Sequence, residues 1–381
     1  MKDKKILYGV CGIGMGHTHR QLPLLDALSR DNRIVLFAYG ESLRFYKEHF
    51  AGSERVTIVP VAVAFYAGNA EGLDFAETAR RIKASGIDYQ AINLAAMEAA
   101  QKLIGKPDLV ISDYEPVSAQ YAYACGAPLV TIDQQSKYLA ADFSRVLRGQ
   151  TCLDEVARLR LFFPQAAARI ACSFFAVPQD GKAEAEKVLF YPPIIKPEIV
   201  RLKELRDKGR GNGGDSQSVL VYISSQREFV QDMDEVMAVL SQAPQYCFHL
   251  FVKELPAQLS LSAPANVKLY RHGDRRFPDV LGECRGLITT AGHSLLSEAM
   301  YLGIPAYLIP LAVYEQQMNA HVVAENGFGI CAEALTAPLL GQFLAGLPAC
   351  AEAIASDKTV LVRGSGEGPI LEFLRSRYLG D

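Results

Sequence analysis

The densest run of chemically capable residues lies near the start of the chain: Gly12-Ile13-Gly14-Met15-Gly16-His17-Thr18-His19-Arg20. Alternating glycines let a backbone turn sharply and approach a ligand closely. Histidine is the side chain that ordinarily exchanges its proton near neutral pH. His17, at the mouth of such a turn, is therefore a candidate general base for a hydroxyl. The spacing G-x-G-x-G-H puts His17 where the dinucleotide fingerprint G-x-G-x-x-G needs its third glycine, so a dinucleotide cofactor is not expected. Arg20 reads as the partner of an acid or as a packing anchor.

A second run, Thr289-Thr290-Ala291-Gly292-His293-Ser294-Leu295-Leu296-Ser297-Glu298, is followed by Gly303-Ile304-Pro305. Small residues here separate an apolar strand from a helix. The leading N–H groups of a helix lack intrahelical acceptors and favour anions, so this turn suits a diphosphate. Glu298 can accept two hydrogen bonds from a ribose diol. A third run, Tyr314-Glu315-Gln316-Gln317-Met318-Asn319, groups donors and acceptors that suit a polyhydroxyl ligand. Asp113, Glu115 and Asp133 stand at the ends of apolar strands; acceptor binding or orientation of His17 is weighed there against plain helix capping. Asp232-Met233-Asp234 resembles a D-x-D metal motif but falls at a helix start, where capping is expected. No His, Cys and Asp cluster has metal-ligand spacing, and no metal is expected.

The elements that must position these groups follow a β-α-β rhythm. Apolar runs at 5–11, 33–39, 56–61, 108–112 and 128–133 read as strands, with helices over 17–30, most of 74–102 and near 116–125. Residues 208–218 (KGRGNGGDSQS) form a linker, and the rhythm then restarts: strand 219–223, Ser224 and Ser225, a helix near 230–241, and strands at 246–252, 267–270, 286–289 and 305–309. This predicts an α/β protein of two Rossmann-like, doubly wound domains facing across a cleft, with ligands beyond the carboxyl ends of the strands. The expected domains are 1–207 and 219–381, with the last helix free to pack back on the first.

Composition narrows the partners. In 381 residues, 39 basic and 42 acidic side chains leave a net charge of −3, which gives no global attraction for nucleic acid. The 8 cysteines are widely spaced without a C-x-x-C pair, which speaks against a zinc finger and for reduced, mostly buried thiols. The N-terminus makes a poor signal peptide, so a cytoplasmic protein is expected. Residues 143–175 mix Arg145, Arg148, Arg158 and Arg160 with Leu159, Leu161, Phe162, Phe163, Phe174 and Phe175. Two readings of that stretch are a peripheral patch for anionic lipid and a core strand flanked by solvated arginines.

Taken together, G-x-x-x-x-x-E-A-x-x-x-G-x-P and the later E-Q-x-x-N-A resemble the donor signature of GT-B glycosyltransferases. The likeness is to the branch containing the lipid II-forming enzyme and the UDP-glucuronosyltransferases, and G-x-G-x-G-H is similar to the acceptor-side loop of that branch. DLVISDYEP, PLVTIDQQ and FYPPIIKP resemble an uncharacterised subfamily labelled teichoic-acid-biosynthesis-related. The resemblance implies a nucleotide-sugar donor, UDP-linked, and a sugar or lipid-linked acceptor, without cofactor or metal. It implies His17 as base, with Asp113 the competing candidate, and Gly14 and Gly16 in the loop. It places Ser224, Ser225, Ala291, Gly292, His293 and Ser294 near phosphate, Glu298 on ribose, and Glu315 and Gln316 on the sugar. Plant and animal members carry a phosphate-contacting histidine where this chain has Thr290. A UDP-sugar hydrolase with a G-x-G-H-x-x-R start and a non-catalytic nucleotide-sugar sensor are the alternatives.

Overall fold

The computed structural model describes residues 3–69, 71–141, 143, 151–208, 217–224, 229–255 and 263–380. Ser225, Arg145, Arg148 and residues 209–216 of the expected linker lie outside the described residues. Two compact units are present: Met1–Ser173, Val177–Ile194 and Ser365–Asp381 form the first, Phe174–Ala176 and Ile195–Gly364 the second.

The first unit runs β1 (Lys5–Val10), α1 (Met15–Ser29), β2 (Arg33–Ala38), α2 (Gly40–His49), β3 (Val56–Pro60), a hairpin of β4 (Gly68–Asn69) and β5 (Gly72–Leu73), α3 (Phe75–Ser85), α4 (Tyr89–Ile104), β6 (Leu109–Asp113), α5 (Pro116–Cys125), β7 (Leu129–Asp133), α6 (Leu153–Phe162), β8 (Ala168–Cys172) and β9 (Val188–Tyr191). Its seven-stranded sheet has the order β3-β2-β1-β6-β7-β8-β9, every pairing parallel. Strands covered on both faces read as continuous apolar runs, and β6 and β7 are buried at every position. One face packs Leu24, Leu25 and Leu28 of α1 together with Ile370, Leu371 and Leu374. Each such side chain contributes about 1.5–3 kcal/mol by burial.

The second unit continues with α7 (Pro197–Asp207), β10 (Ser218–Tyr222), α8 (Met233–Leu240), β11 (Cys247–Val252), β12 (Val267–Arg271), α9 (Phe277–Glu283), β13 (Gly286–Thr289), α10 (His293–Leu302), β14 (Ala306–Leu308), α11 (Tyr314–Glu325), β15 (Gly329–Cys331) and α12 (Ala337–Ser356). The parallel order is β12-β11-β10-β13-β14-β15. Helix α12 is long and apolar enough in composition to cross a membrane; in this fold its Leu340, Phe343, Leu344 and Leu347 lie in the second core. Helix α13 (Glu367–Leu374) belongs to the first unit, where Ile370 and Leu374 are fully buried.

Two expectations need correction, and one open reading is decided. The division between units falls after Ile194, not at 207, because α7 packs on α9 and α10 and Leu202 fills the space beside Gly282. The phenylalanines of the 143–175 stretch face inward, in line with the core reading: among the described residues Leu159, Phe162, Phe163, Phe174 and Phe175 are buried, but so is Arg158, which that reading leaves solvated, while Leu153 and Leu161 are exposed. The eight thiols are free, as expected, but Cys331 is exposed and only Cys11, Cys172 and Cys284 are buried.

Candidate active site

Each sheet reverses its strand order once, between β1 and β6 in the first unit and between β10 and β13 in the second. Connections leave such a point in opposite directions and open a crevice at the carboxyl ends, which is where ligands of open α/β sheets sit. All three sequence runs lead to these two points.

In the first unit, β1 ends beside β6, with Val10 opposite Asp113 and the Cys11 N–H on the Asp113 carbonyl at 2.9 Å. Gly12 is required by space: a Cβ there would lie 1.9 Å from the Tyr39 carbonyl oxygen. Gly14 is required by conformation, with φ of 73° at the N-cap of α1. The turn then starts α1, where His17 and Arg20, three apart, share a face. Both reach Asp113. Arg20 Nη2 donates to Oδ1 at 2.7 Å and Oδ2 at 2.9 Å. His17 Nδ1 lies 3.0 Å from Oδ1 and 2.9 Å from Arg20 Nη2. A guanidinium offers no lone pair, and Asp113 is the acceptor between two donors. We therefore assign the hydrogen to Nδ1, donated to Asp113, which leaves the lone pair on Nε2.

Asp113 is fully buried while the His17 side chain keeps 16% of its exposure. Burial pushes the Asp113 carboxyl up, but the charge of Arg20 and the adjoining His17 outweigh it and hold the group below the ordinary carboxylate range. The site thus holds a fixed carboxylate behind an accessible imidazole. The His17 ring also stacks on Tyr114, centroids 6.3 Å apart. Tyr114 takes φ of 55°, uncommon for a bulky residue, in a turn closed by Ser112 Oγ donating to the Glu115 carbonyl at 2.7 Å.

In the second unit, β13 leads through Thr290 into Ala291, at φ of 65°, and Gly292, the N-cap of α10. Asn319 Nδ2 holds the Ala291 carbonyl at 3.0 Å. Ser224 arrives from the end of β10, its hydroxyl 2.5 Å from that of Thr290. The His293 N–H, first of the helix, donates to Glu315 Oε1 at 3.1 Å. Gln316 Oε1 accepts from the Leu311 N–H at 2.9 Å. Four elements therefore meet at one turn, and Ser224, Ala291, Gly292, His293 and Glu315 are brought together there. Glu298 lies on the next turns of α10, buried, with Lys196 Nζ at 3.1 Å from its Oε1. Burial raises its carboxyl pKa and Lys196 only partly offsets this.

Several acids and pairings resolve differently from their first appearance. Glu115 caps α5, accepting from the N–H groups of Val117 and Ser118 at 2.7 Å each, and burial pushes it up to about 7. Asp133 accepts from the Ser136 N–H at 2.6 Å and the Ser136 hydroxyl at 2.9 Å, at the start of the short helical turn Ser136–Leu139. Neither joins His17; of the three strand-end acids only Asp113 does. Asp232 caps α8 through the Glu235 N–H at 2.8 Å. Among the described residues no group of three His, Cys, Asp or Glu could hold a metal ion. Sequence reasoning passed over Lys196, which lies in the FYPPIIKP stretch but carries no motif signal of its own. It gave Asn319 no role apart from its run, although the i, i+4 spacing from Glu315 places both on one helix face.

Comparison with known proteins accords with this geometry. The family model described as Glycosyl transferase family 1 matches residues 4–348. A protein of Methanosarcina mazei described as an uncharacterized glycosyltransferase is 23% identical over 350 residues, 85% of this chain and 84% of that one. Among solved structures, the calicheamicin glycosyltransferase CalG4 superposes with a TM-score of 0.64 at 18% identity, covering 100% of this chain and 99% of its own. LpCGTa in complex with UDP gives 0.64 at 15% identity over 100% of both chains. These likenesses establish the GT-B architecture of two Rossmann-like units.

Proposed function

The chain belongs to glycosyl transferase family 1, and from that membership we propose that it transfers a sugar from a UDP-linked donor to a hydroxyl acceptor, with His17 as base. The observation that carries the reading is the buried Asp113 carboxylate on His17 Nδ1 at 3.0 Å, which supports the tautomer with its lone pair on Nε2. The acceptor hydroxyl gives its proton to Nε2 as its oxygen attacks the anomeric carbon. The bond to the diphosphate oxygen breaks on the opposite side, so the anomeric centre inverts. Asp113 stabilises the imidazolium that forms without itself taking the proton.

The donor is held by the second unit. N–H groups of the Ala291–Ser294 turn and the Ser224 hydroxyl face the diphosphate, where the helix N-terminus favours the charge that develops on leaving. Glu298 accepts from the ribose hydroxyls, and Glu315 and Gln316 exchange their present partners for sugar hydroxyls. No metal takes part. The likeness of FYPPIIKP and the strand-end segments to a cell-envelope subfamily supports a glycan, glycolipid or natural-product acceptor, met in the cytoplasm or at its membrane face.

A thermal-shift screen of nucleoside diphosphates and nucleotide sugars tests the donor, since a ligand of the folded state raises apparent stability. UDP and UDP-sugars should raise the melting temperature and other bases should not; a screen in which no uridine nucleotide does so contradicts the reading. Arg20 favours a second reading, because G-x-G-H-x-x-R also begins a UDP-sugar hydrolase and Arg20 contacts both members of the His17–Asp113 pair. Incubation with donor alone separates the two: rapid release of free sugar identifies a hydrolase.

A further inference from the structure

The Lys196–Glu298 pair is an unusual place to spend charge. Glu298 is buried, and the Lys196 side chain keeps 17% exposure with its ammonium 5.8 Å from the centre of the Phe277 ring. A buried ion pair is a weak source of stability, because desolvation of both ions offsets their attraction, and an apolar pair of similar volume often does as well. The segment that delivers the ammonium is nevertheless firmly anchored. Ile195 and Ile199 on either side are fully buried, and Pro197 opens α7 at the residue after Lys196. The pair therefore sets the state of one carboxylate, and that carboxylate is the one assigned to the ribose.

We propose that Lys196 is a positioning residue for nucleotide recognition: its ammonium holds the Glu298 carboxylate charged and oriented so that it can accept both hydroxyls of a ribose. The proposal rests on the reading of Glu298 given above and adds a residue to it. A carboxylate accepts at both oxygens, whereas a protonated carboxyl turns one of them into a donor and loses half its fit to a diol. Three influences act on Glu298. Burial raises its pKa, Lys196 lowers it by charge and hydrogen bond, and Glu198 of α7 raises it. From α11, Glu315 is engaged with the His293 N–H. Without Lys196, both remaining influences favour the neutral acid.

The test is UDP affinity by calorimetry for wild type, Lys196→Met, Lys196→Arg and Glu298→Gln, between about pH 6 and pH 9. Affinity that needs the carboxylate is full above its pKa and falls about tenfold per pH unit below it. In Lys196→Met that acid limb should move up by about one unit or more, so that the variant binds weakly near neutrality and recovers towards wild type as pH rises. Lys196→Arg should keep the wild-type profile, and Lys196→Gln replaces the Met variant if that chain fails to fold. A merely structural pair predicts a loss equal at every pH, and that result, or no loss at all, overturns the role of Lys196. Unchanged UDP affinity in Glu298→Gln overturns the ribose assignment itself. Weakened UDP in Glu298→Gln without a shifted limb in Lys196→Met overturns only the proposal made here.

Discussion

The two switch points are built to one plan and finished differently. In each unit the strand beside the central one ends in a left-handed, non-glycine residue, Tyr114 after β6 and Ala291 after β13. In each a helix follows at once. In the first unit that helix, α5, is sealed by its own N-cap, since Glu115 takes two of its leading N–H groups. In the second the N-cap is Gly292, which has no side chain to offer, and the carboxylate near the His293 N–H comes from another helix. In the first unit Glu115 thus occupies this helix start, and His17 and Arg20 of α1 meet Asp113 at the end of the preceding strand. The second caps its helix start with a side chain from α11 rather than with its own N-cap residue. The difference supports the proposed division of proton transfer to one unit and nucleotide binding to the other, and it rests on one residue type at one position.

The comparison can be broken most forcefully at His17. His17→Ala should cut turnover by about 10²–10⁴-fold, the range for general-base assistance, while UDP affinity stays within about twofold of wild type. Steady-state kinetics beside calorimetry would show it, and near-normal turnover in His17→Ala with none in Asp113→Asn would move the base to the carboxylate.

Next in size is the buried support of that pair. Arg20→Met leaves Asp113 buried without its cation, and loss of one partner of such a pair costs about 3–5 kcal/mol in chemical denaturation. The pH dependence has a definite sign. A carboxyl whose folded pKa is lowered stabilises the fold above its unfolded pKa, and that contribution is lost as pH falls through the folded value. Wild type should therefore lose stability steeply at acid pH, and Arg20→Met less steeply, because its Asp113 protonates earlier.

On the donor side, Glu298→Ala should weaken UDP by about 1.5–3 kcal/mol, the scale of a hydrogen bond to a charged group, with turnover at saturating donor less affected. The smallest effect is expected at the shared cap. Glu315→Ala removes the acceptor from the His293 N–H and should lower stability by about 0.5–2 kcal/mol. It should also weaken UDP-sugars more than UDP; equal weakening of both would move Glu315 away from the sugar.

Much of this was legible in the sequence because short-range rules govern it. Ten of the thirteen strands of the two sheets follow from apolar runs, the strands β8, β9 and β15 being the exceptions, and α1 starts within the glycine run, at Met15. His17, Asp113 and Glu298 stand out as residue types at strand and helix ends. What the sequence could not supply is partnership across distance. Asp113, Glu115 and Asp133 look alike on the page, each an acid at or just past a strand end. They part ways only because β6 lies beside β1 and brings Asp113 under His17, while Glu115 and Asp133 each find N–H groups two or three residues ahead. Lys196 has no local signature, since its meaning depends on α7 packing against α10. The basic stretch at 143–175 stayed open between two readings for the same reason. Alternating arginines and phenylalanines suit a membrane surface as well as a buried strand edge, and only the fold places the phenylalanines inside.

The central proposal, that the helix start of the second unit receives the diphosphate of the nucleotide, is tested most directly by UDP titration of Gly292→Asp. The site accommodates the change: Gly292 has φ of −63°, and a Cβ there would meet nothing within 4 Å. Aspartate is also a favoured N-cap, so the fold should be kept or stabilised by up to about 1 kcal/mol. Its carboxylate would give the second unit the sealed helix start of the first. The account predicts that UDP affinity then falls by about tenfold or more while the melting temperature holds or rises, since a fixed anion would occupy the place of the diphosphate. UDP binding as tight as wild type, in a folded Gly292→Asp protein, would contradict it.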